Sequence, residues 1–501
     1  MSKFVLAIDQ GTTGSTVSLV DESGQIVSHA NTEFEQIYPQ PGWVEHDPEA
    51  IWSSVKTSLE VCIQKSGIDK KQIVAIGITN QRETVVLWDR SSGTPVHNAI
   101  VWQCRRTADI CSKLKKKGIE SDIKRRSGLV LDPYFSGTKI NWMINNVSGL
   151  KTRIKNNEIA AGTIDSFLVY KLTSGECHAT EVSNASRTML MNLKTMEWDE
   201  KLLSYLKVPE SILPEIVSSS GTIGVTQGLD FLPDNIPISG IAGDQQAALF
   251  GQTAFKPGDS KVTFGTGSFL LMNTGSQPIK SKSGLLTTVG WQLDGQKPVY
   301  ALEGGAFICG AAVQWLRDEL KFFESSKDIE KLAKTVDSSE GVELIPAFVG
   351  LGAPYWDPNV RAALFGMTRG SSKAHIARAT LEAMALQNVD ILNAMKKDLG
   401  KSIKGVRVDG GAAANNLLMQ IQADYLGSKI QRPKMIETTV AGAAYLAGLG
   451  VGLWKSLDEI KSVWSLDSEF APQIKSGERT KRLSRWHTGV KSARYYSKQL
   501  G

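Results

Sequence analysis

The sequence contains few of the residues that mark secreted, membrane-spanning or metal-binding proteins. Its five cysteines are an odd number, and no pair has metal-ligand spacing, which argues against a disulfide scaffold or a zinc site. The six histidines show no ligand spacing either. No uninterrupted apolar run is long enough to cross a bilayer, and Asp9 interrupts the first apolar run. We therefore expect no secretory signal, no stable membrane insertion and a cytoplasmic location.

The sequence also has little excess of one sign of charge over the other. The 57 Lys and Arg against 51 Asp and Glu leave a net charge of +6, which is weak over 501 residues. The basic residues gather at residues 115–117 and 475–498, and such runs are typical of solvated helix faces. A nucleic-acid partner is not expected, because it would need a stronger basic stripe interleaved with aromatic residues. The length suggests roughly three domains, with two large ones equally allowed.

The first loop of the chain carries unusual chemistry for a hairpin turn. Residues 9–16, DQGTTGST, join an apolar strand to a second strand that alternates apolar and polar residues. Glycines and hydroxyls at a strand end supply N–H and O–H donors that suit phosphate. The carboxylate of Asp9 has the wrong charge for phosphate but the right one for a magnesium ion that accompanies it. The alternative is an ordinary solvated hairpin tip.

A similar hairpin returns in the second half of the chain. Residues 261–272 form strand, Gly-Thr-Gly turn and strand, after a Pro-Gly-containing linker at residues 253–260. In both halves further strands and helices follow. The sequence thus predicts an α/β protein of two similar lobes flanking a central cleft, with domains at residues 1–252 and 253–501. A nucleotide's phosphates would bridge the two hairpins.

Two buried strands of the first half end in charged residues. Residues 73–79 form a near-continuous apolar run followed by NQRET, and residues 236–243 lead into Asp244 at the start of a helix. Ligands bind beyond the carboxyl ends of such strands, so Arg82, Glu83 and Asp244 are candidate site residues. The alternatives are a surface ion pair for Arg82 and Glu83 and a helix N-cap for Asp244. Trp102 follows a further apolar segment, and aromatic residues in such places usually belong to the core.

Several motifs together carry a family resemblance. Residues 9–16, 265–267 and 409–411 resemble the phosphate and adenosine motifs of the actin, Hsp70 and sugar-kinase superfamily. YFSGTKINW at 134–142, and LFGM at 364–367 with His375 and Glu382 after it, are similar to the two signatures of the FGGY carbohydrate kinases. Residues 34–47, 80–84, 101–106 and 243–248 are similar to the glycerol-phosphorylating members of that family. The resemblance spans roughly residues 4–490.

The resemblance implies ribonuclease-H-like (actin-like ATPase) lobes, glycerol and ATP as substrates, and Mg²⁺ as the metal. It implies a homodimer or homotetramer. The residues that it implies for glycerol are Arg82, Glu83, Trp102, Tyr134, Asp244, Gln245 and Phe269. The residues that it implies for the nucleotide are Thr12, Thr13, Gly14, Thr16, Thr266, Gly310, Gln314, Gly411 and Asn415, and Asp9 would hold magnesium directly or through water.

The chemistry of these residue types agrees with that activity. A site for glycerol must satisfy three hydroxyls, and Arg, Glu, Tyr and Asp supply both donors and acceptors. We expect Asp244 to accept the proton of the attacking terminal hydroxyl. In a loose phosphoryl-transfer transition state, positioning of that base matters more than its basicity.

Two features depart from the family pattern. Thr16 stands where an arginine is usual, so we expect a higher KM for ATP. Pro233, Asp234 and Asn235 precede the strand at Ile236 without the Gly-Gly-Thr-Arg loop of members inhibited by fructose-1,6-bisphosphate, and no histidine lies at residues 218–235. Inhibition by that effector and activation by histidine phosphorylation are both expected to be absent.

Two other functions remain to be separated by experiment. One is an FGGY kinase for a pentulose or gluconate, against which the Arg82, Glu83 and Trp102 motifs argue. The other is an actin- or Hsp70-like ATPase that drives assembly or partner binding. The Hsp70-like form needs a substrate-binding domain, for which the segment after residue 455 is too short.

Overall fold

The computed structural model describes residues 2–401, 403 and 405–500. The strands, in chain order, are β1 Phe4–Gln10, β2 Gly14–Asp21, β3 Ile26–Glu33, β4 Glu45–His46, β5 Ile73–Asn80, β6 Val85–Asp89, β7 Ala99–Ile100, β8 Ile159–Thr163, β9 Ala179–Glu181, β10 Glu215–Val217, β11 Ser220–Val225, β12 Pro237–Gly243, β13 Ser260–Phe264, β14 Ser268–Gly275, β15 Leu286–Trp291, β16 Val299–Ala306, β17 Glu343–Ile345, β18 Ala363–Phe365, β19 Val406–Asp409, β20 Ile430–Pro433 and β21 Leu466–Phe470.

The helices, in the same order, are α1 Pro48–Ser66, α2 Ala108–Lys116, α3 Glu120–Ser127, α4 Ser136–Asn146, α5 Leu150–Lys155, α6 Ile164–Leu172, α7 Val182–Ala185, α8 Glu200–Leu206, α9 Asp244–Gly251, α10 Gly310–Asp318, α11 Asp328–Ala333, α12 Lys373–Leu399, α13 Asn416–Leu426, α14 Thr438–Gly450, α15 Leu457–Val463 and α16 Ser476–Gln499. None of the described helices is long and apolar enough to cross a membrane.

The first lobe is built on a six-stranded sheet of order β11-β12-β5-β1-β2-β3. Strands β1, β2 and β3 form an antiparallel meander, whereas β5 runs parallel to β1 and β12 runs parallel to β5. The register pairs Gln10 with Asn80 and Asn80 with Gly243. Because parallel strands end at the same edge of a sheet, the residues that follow β1, β5 and β12 come together there.

The second lobe repeats this arrangement. Its seven-stranded sheet has the order β15-β16-β14-β13-β19-β20-β21. Strands β13, β14 and β16 are successively antiparallel, while β19 is parallel to β13 and β20 is parallel to β19. The predicted duplication of an α/β lobe is therefore confirmed, down to the hairpin that opens each lobe.

Helices α9 and α14 lie between the two sheets and pack closely on each other. Helix α14 contacts β1, β5 and β12, while α9 contacts β12, β13 and β15. A Cβ added to Gly442 would lie 1.8 Å from the carbonyl oxygen of Ala247. Only glycine fits at that crossing, so the small residues of α14 are what allow the two helices to pack this closely.

An additional unit is attached to the first lobe beside the cleft. It consists of the four-stranded sheet β4-β7-β6-β8 with α2 to α5 around it. The turn after β7 carries Trp102, and the turn before α4 carries Tyr134. This unit therefore supplies aromatic side chains to the strand-end edge of the first sheet.

Candidate active site

Arg82 and Asp244 meet at the shared edge of β5 and β12. The Nε of Arg82 lies 3.1 Å from Oδ1 of Asp244. Arg82 is 3 % exposed, so the interpretation of Arg82 and Glu83 as a surface pair is wrong. Asp244 is the first residue of α9 and Gly243 takes the N-cap position, so the N-cap alternative is wrong as well. The Asp244 side chain is one-third exposed and points where a ligand can reach it.

Two buried residues that the sequence patterns did not reveal complete this cluster. Glu303, in β16 of the second lobe, accepts from both terminal nitrogens of Arg82, at 2.7 and 3.0 Å. Arg187 donates to Glu303 at 3.0 Å and, through Nε, to Glu83 at 2.6 Å. All four side chains are at most 3 % exposed. A lone acid in the otherwise apolar strand β16 was the available signal, because a buried carboxylate needs a partner.

Burial and the neighbouring charges shift the pKa values of this cluster in opposite directions. Burial by itself disfavours the charged guanidinium of Arg82, but the carboxylates of Glu303 and Glu83 outweigh it and raise its pKa. Burial raises the pKa of Glu83. For Glu303 the two guanidiniums outweigh burial and hold its pKa below the usual value. The cluster is thus a desolvated network of alternating charges, in which each hydrogen bond is charge-assisted.

The backbone of Glu83 is held in an unusual conformation. Its φ of 62° lies in the left-handed region, which costs a non-glycine residue free energy and is often found at functional sites. Its carbonyl accepts from Ser136 Oγ at 3.2 Å and from Lys139 Nζ at 3.1 Å. The same Lys139 donates to the carbonyl of Tyr134. Burial lowers the pKa of Lys139 to about 8, and the lysine ties the Glu83 turn to the Tyr134 turn.

Three aromatic side chains, those of Trp102, Tyr134 and Phe269, form a wall that joins the charged cluster at Tyr134, whose ring centroid lies 5.6 Å from the guanidinium carbon of Arg187. The ring of Trp102 lies 5.7 Å from that of Tyr134 and 6.4 Å from that of Phe269, in edge-to-face geometry. All three are half-buried, and Trp102 packs against a hydrophobic core without being enclosed by it; β7 ends at Ile100 and Trp102 lies in the turn that follows. The indole Nε1 donates to Thr12 Oγ1 at 3.0 Å, which links this wall to the first hairpin.

Gln245 leads from the site into a chain of buried polar groups. Its side-chain oxygen accepts from Lys261 Nζ, which also donates to Thr263 Oγ1 at 2.7 Å. Thr263 in turn donates to Asp409 at 2.5 Å. Burial lowers the pKa of Lys261 to about 8. The chain connects α9 with the carboxyl end of β19, where the predicted nucleoside residues begin.

The tip of the first hairpin is a tight turn. The N–H of Gly11 donates to the carbonyl of Gly14 at 2.9 Å, and a Cβ at Gly14 would lie 2.9 Å from the carbonyl oxygen of Thr32. Thr13 is exposed at the tip. Thr16 pairs with Asp9 across the hairpin, and its hydroxyl accepts from Asn31 at 2.9 Å.

The second hairpin docks on the start of α10. The carbonyl of Thr266 accepts from the N–H groups of Cys309 and Ala311, at 2.8 and 3.1 Å, and the carbonyl of Gly265 accepts from Gly310 at 2.9 Å. Thr266 and Gln314 are exposed. The structure therefore brings Thr266, Gly310 and Gln314 into one region of the second lobe.

Gly411 and Asn415 follow β19, which is the strand beside β13. Gly410 has a φ of 83°, and a Cβ there would lie 2.6 Å from the carbonyl oxygen of Phe264. Gly411 begins a short 3₁₀ turn with open space around it. Asn415 caps α13 by accepting from the N–H of Leu418 at 2.9 Å. This turn thus lies next to the second hairpin.

Asp9 lies among other carboxylates. Burial raises its pKa to about 8, and the carboxylates of Asp244 and Glu437 contribute in the same direction. A divalent cation in this region would offset that repulsion and favour the ionised form. Among the described residues, no group of three or more His, Cys, Asp or Glu is arranged to bind a metal. The carboxylate of Asp9 nevertheless fits Mg²⁺, because Mg²⁺ is commonly bound by only one or two carboxylates together with phosphate oxygens.

Two lobes of this topology around a cleft define the class of actin-like ATPases and sugar kinases. The chain belongs to the FGGY family of carbohydrate kinases: its N-terminal domain model matches residues 4–251 and its C-terminal domain model matches residues 260–451.

Relatives within the family are similar over nearly the whole chain. The glycerol kinase of Bdellovibrio bacteriovorus is 61% identical, over 97% of this chain and 98% of its own. The glycerol kinase of Fusobacterium nucleatum is 54% identical over the same shares. The crystal structure of Plasmodium falciparum glycerol kinase with ADP superposes with a TM-score of 0.92 at 38% identity, covering 98% of each chain.

Proposed function

We propose that this chain transfers the γ-phosphoryl group of ATP to glycerol, forming sn-glycerol 3-phosphate and ADP. The observation that carries the proposal is the cluster of Arg82, Glu83 and Asp244, which Arg187 links to the aromatic wall of Trp102, Tyr134 and Phe269. The cluster offers donors and acceptors for hydroxyls, and the wall covers a short carbon chain. The high identity to glycerol kinases supports the same substrate.

Asp244 is the general base in this proposal. Its Oδ1 lies 3.1 Å from Arg82 Nε in an ion pair and accepts from the N–H of Gln245 at 2.6 Å. Those two contacts orient the carboxylate, and we assign Oδ2 to the terminal hydroxyl of glycerol. That hydroxyl attacks the γ-phosphorus while its proton passes to Oδ2, at a distance of ~3 Å in the closed state.

The remaining residues bind and orient the two substrates. Arg82, Glu83, Tyr134 and Gln245 hydrogen-bond the hydroxyls, and Trp102 and Phe269 pack against the carbons. A site of this kind rejects analogues that lack a hydroxyl by a factor on the order of 10⁴, since its own polar groups are left unpaired. The residues assigned to the phosphates are Thr12, Thr13, Gly14, Thr16 and Thr266, and those assigned to the nucleoside are Gly310, Gln314, Gly411 and Asn415.

Asp9 is the residue assigned to magnesium, directly or through water. When bound, Mg²⁺ neutralises charge that develops on the phosphoryl oxygens. The hairpin donors around Thr12 and Thr266 act on the same charge from either side of the cleft. Closure of the lobes excludes water from the transfer.

We also propose a first domain of residues 1–252 and a second of residues 253–501, which the separate matches to residues 4–251 and 260–451 support. The use of ATP and the unpaired thiols of the five cysteines support a cytoplasmic location. A homodimer or homotetramer is proposed from the family resemblance, and light scattering after size exclusion tests it.

A coupled ADP-release assay over a polyol panel tests the proposed function. The panel contains glycerol, a pentulose, gluconate, propane-1,2-diol and no acceptor, and ³¹P NMR identifies the product. We expect efficient turnover with glycerol alone. Preferential turnover of the pentulose or gluconate would assign another kinase activity, and acceptor-independent ADP release would assign an ATPase.

A further inference from the structure

Glu303 belongs to the second lobe, yet its partners belong to the first. It lies in the middle of β16, which pairs with β14 and β15 in the seven-stranded sheet. Its two oxygens accept from Arg82 at 2.7 and 3.0 Å and from Arg187 at 3.0 Å. A carboxylate of one lobe is therefore buried between two guanidiniums of the other.

The fork between Glu303 and Arg82 fixes the guanidinium plane. A bidentate pair constrains orientation as well as distance, and Nε of the same guanidinium lies 3.1 Å from Oδ1 of Asp244 in an ion pair. Gln246 adds to the fixation, since its oxygen accepts from Arg82 at 3.2 Å and its amide donates to the carbonyl of Val289 at 3.2 Å. The direction in which Arg82 presents Nε thus depends on β15 and β16 of the second lobe.

Building on the proposed function, we propose that Glu303 is a positioning residue for the reaction. Through Arg82 it holds the carboxylate of Asp244 in its working orientation, and it makes that orientation depend on the docking of the second lobe against the first. Glu303 itself needs no contact with glycerol or ATP. Arg187 supports it by bridging Glu303 and Glu83, which keeps the charges of the cluster balanced.

The substitution Glu303→Gln tests this role with little change in shape. The amide keeps one acceptor oxygen but turns the other into a donor that faces a guanidinium donor. Because a charge-assisted hydrogen bond that fixes Arg82 beside the base is lost, kcat/KM for glycerol is expected to fall about 10- to 100-fold. The KM for ATP is expected to stay within about twofold, since uniform nucleotide binding is not changed.

Glu343→Gln is the matched control. Glu343 is also a buried acid in a strand of the second lobe, and it pairs with Arg485 at 2.6 Å. Its side chain is 7% exposed against 2% for Glu303. The control is expected to lower the melting temperature while leaving kcat/KM for glycerol unchanged, so it separates loss of a buried ion pair from loss of positioning.

A double-mutant cycle with Arg82→Gln shows whether Glu303 acts through Arg82. If it does, adding Glu303→Gln to Arg82→Gln lowers kcat/KM no further; independent, multiplying losses would overturn the proposal. Wild-type kinetics in Glu303→Gln would overturn it too. Should that variant not fold, Glu303→Asp is used instead, because the shorter side chain keeps the charge but reaches only part of the fork; unchanged glycerol kinetics would again refute the role.

The proposed function can fail separately from this inference. If the wild type prefers another polyol of the panel, the substrate assignment is wrong, and the same variants are compared with that polyol. The positioning role then stands if Glu303→Gln, and not Glu343→Gln, loses kcat/KM for it. Equal losses in the two variants contradict the role.

Discussion

Gly243 is the residue at which one added methyl group tests the geometry of the site. It ends β12 immediately before Asp244. A Cβ built there would lie 2.7 Å from Cγ and Cδ of Arg82 and 3.0 Å from the side-chain oxygen of Gln246. Carbon atoms in contact lie about 3.5–4.0 Å apart, so in Gly243→Ala the stem of Arg82 has to move by roughly 1 Å. Its guanidinium is fixed by Glu303, and the contact with Asp244 is the one that gives way.

The magnitude follows from the two interactions that change. Overpacking a buried site costs about 1–3 kcal/mol of folding free energy. Losing the charged contact between Arg82 and Asp244 is expected to cost about 1.5–3 kcal/mol, which corresponds to a roughly 10- to 100-fold lower kcat/KM for glycerol. The overpacking is expected to lower the melting temperature by several degrees, at about 2–4 °C per kcal/mol for domains of this size.

Steady-state ADP release at varied glycerol and thermal unfolding measure both effects. Gly477→Ala is the control, because Gly477 lies in α16 with nothing within 4 Å of the position that an added methyl group would take. It is expected to keep wild-type kinetics and to be neutral or slightly stabilising. Wild-type kcat/KM in Gly243→Ala would refute the reasoning that the Arg82 to Asp244 contact orients the base.

Three further predictions concern the hairpin, the nucleotide and the pH dependence of stability. Trp102→Phe keeps an aromatic ring but loses the hydrogen bond to Thr12, so the KM values for glycerol and ATP are both expected to rise, by about 2- to 10-fold. Thr16→Arg restores the family's cation and is expected to lower the KM for ATP. The hydrogen bond to Asp390 raises the pKa of His487 in the folded state. The ion pair between them therefore stabilises the fold fully below the unfolded-state histidine pKa of about 6.5. This stabilisation is lost as the pH rises through the folded-state pKa of His487.

Each of these has an outcome that contradicts it. For Trp102→Phe, a rise in the KM for glycerol without a rise in the KM for ATP would mean that the indole does not act on the hairpin. For Thr16→Arg it is an unchanged KM for ATP, which would place position 16 out of contact with the nucleotide. For the histidine, thermal unfolding of the wild type and His487→Gln is compared at about pH 6 and pH 9; a difference that does not shrink at the higher pH contradicts the assignment.

The fold and the strand-end residues follow from local sequence patterns. Near-continuous apolar runs identify β5 and β12 as buried parallel strands, and their carboxyl ends share one edge. That is sufficient to bring Arg82 and Asp244 together. Local signals also place helices well: Asp47 caps α1 by accepting from the N–H of Glu49 at 2.9 Å, and Gly67 ends it with a φ of 68°.

The partners of these residues could not be located in the same way. Glu303 lies 221 positions from Arg82 in the chain, and no local pattern encodes how the second lobe docks on the first. Arg187 follows the short helix α7, where nothing in the sequence marks it as buried. The half-burial of Trp102 depends on where β7 ends, since one or two residues decide whether the indole is enclosed by the core or lies at its surface.

The role of Asp244 as the base is the central claim, and its removal tests that claim most directly. Asp244→Ala and Asp244→Asn are assayed for glycerol-dependent ADP release, and nucleotide affinity is measured by calorimetry in parallel. We expect kcat to fall by at least about 10²-fold, while the Kd for ATP stays close to the wild-type value. A kcat near that of the wild type in either variant would contradict the account.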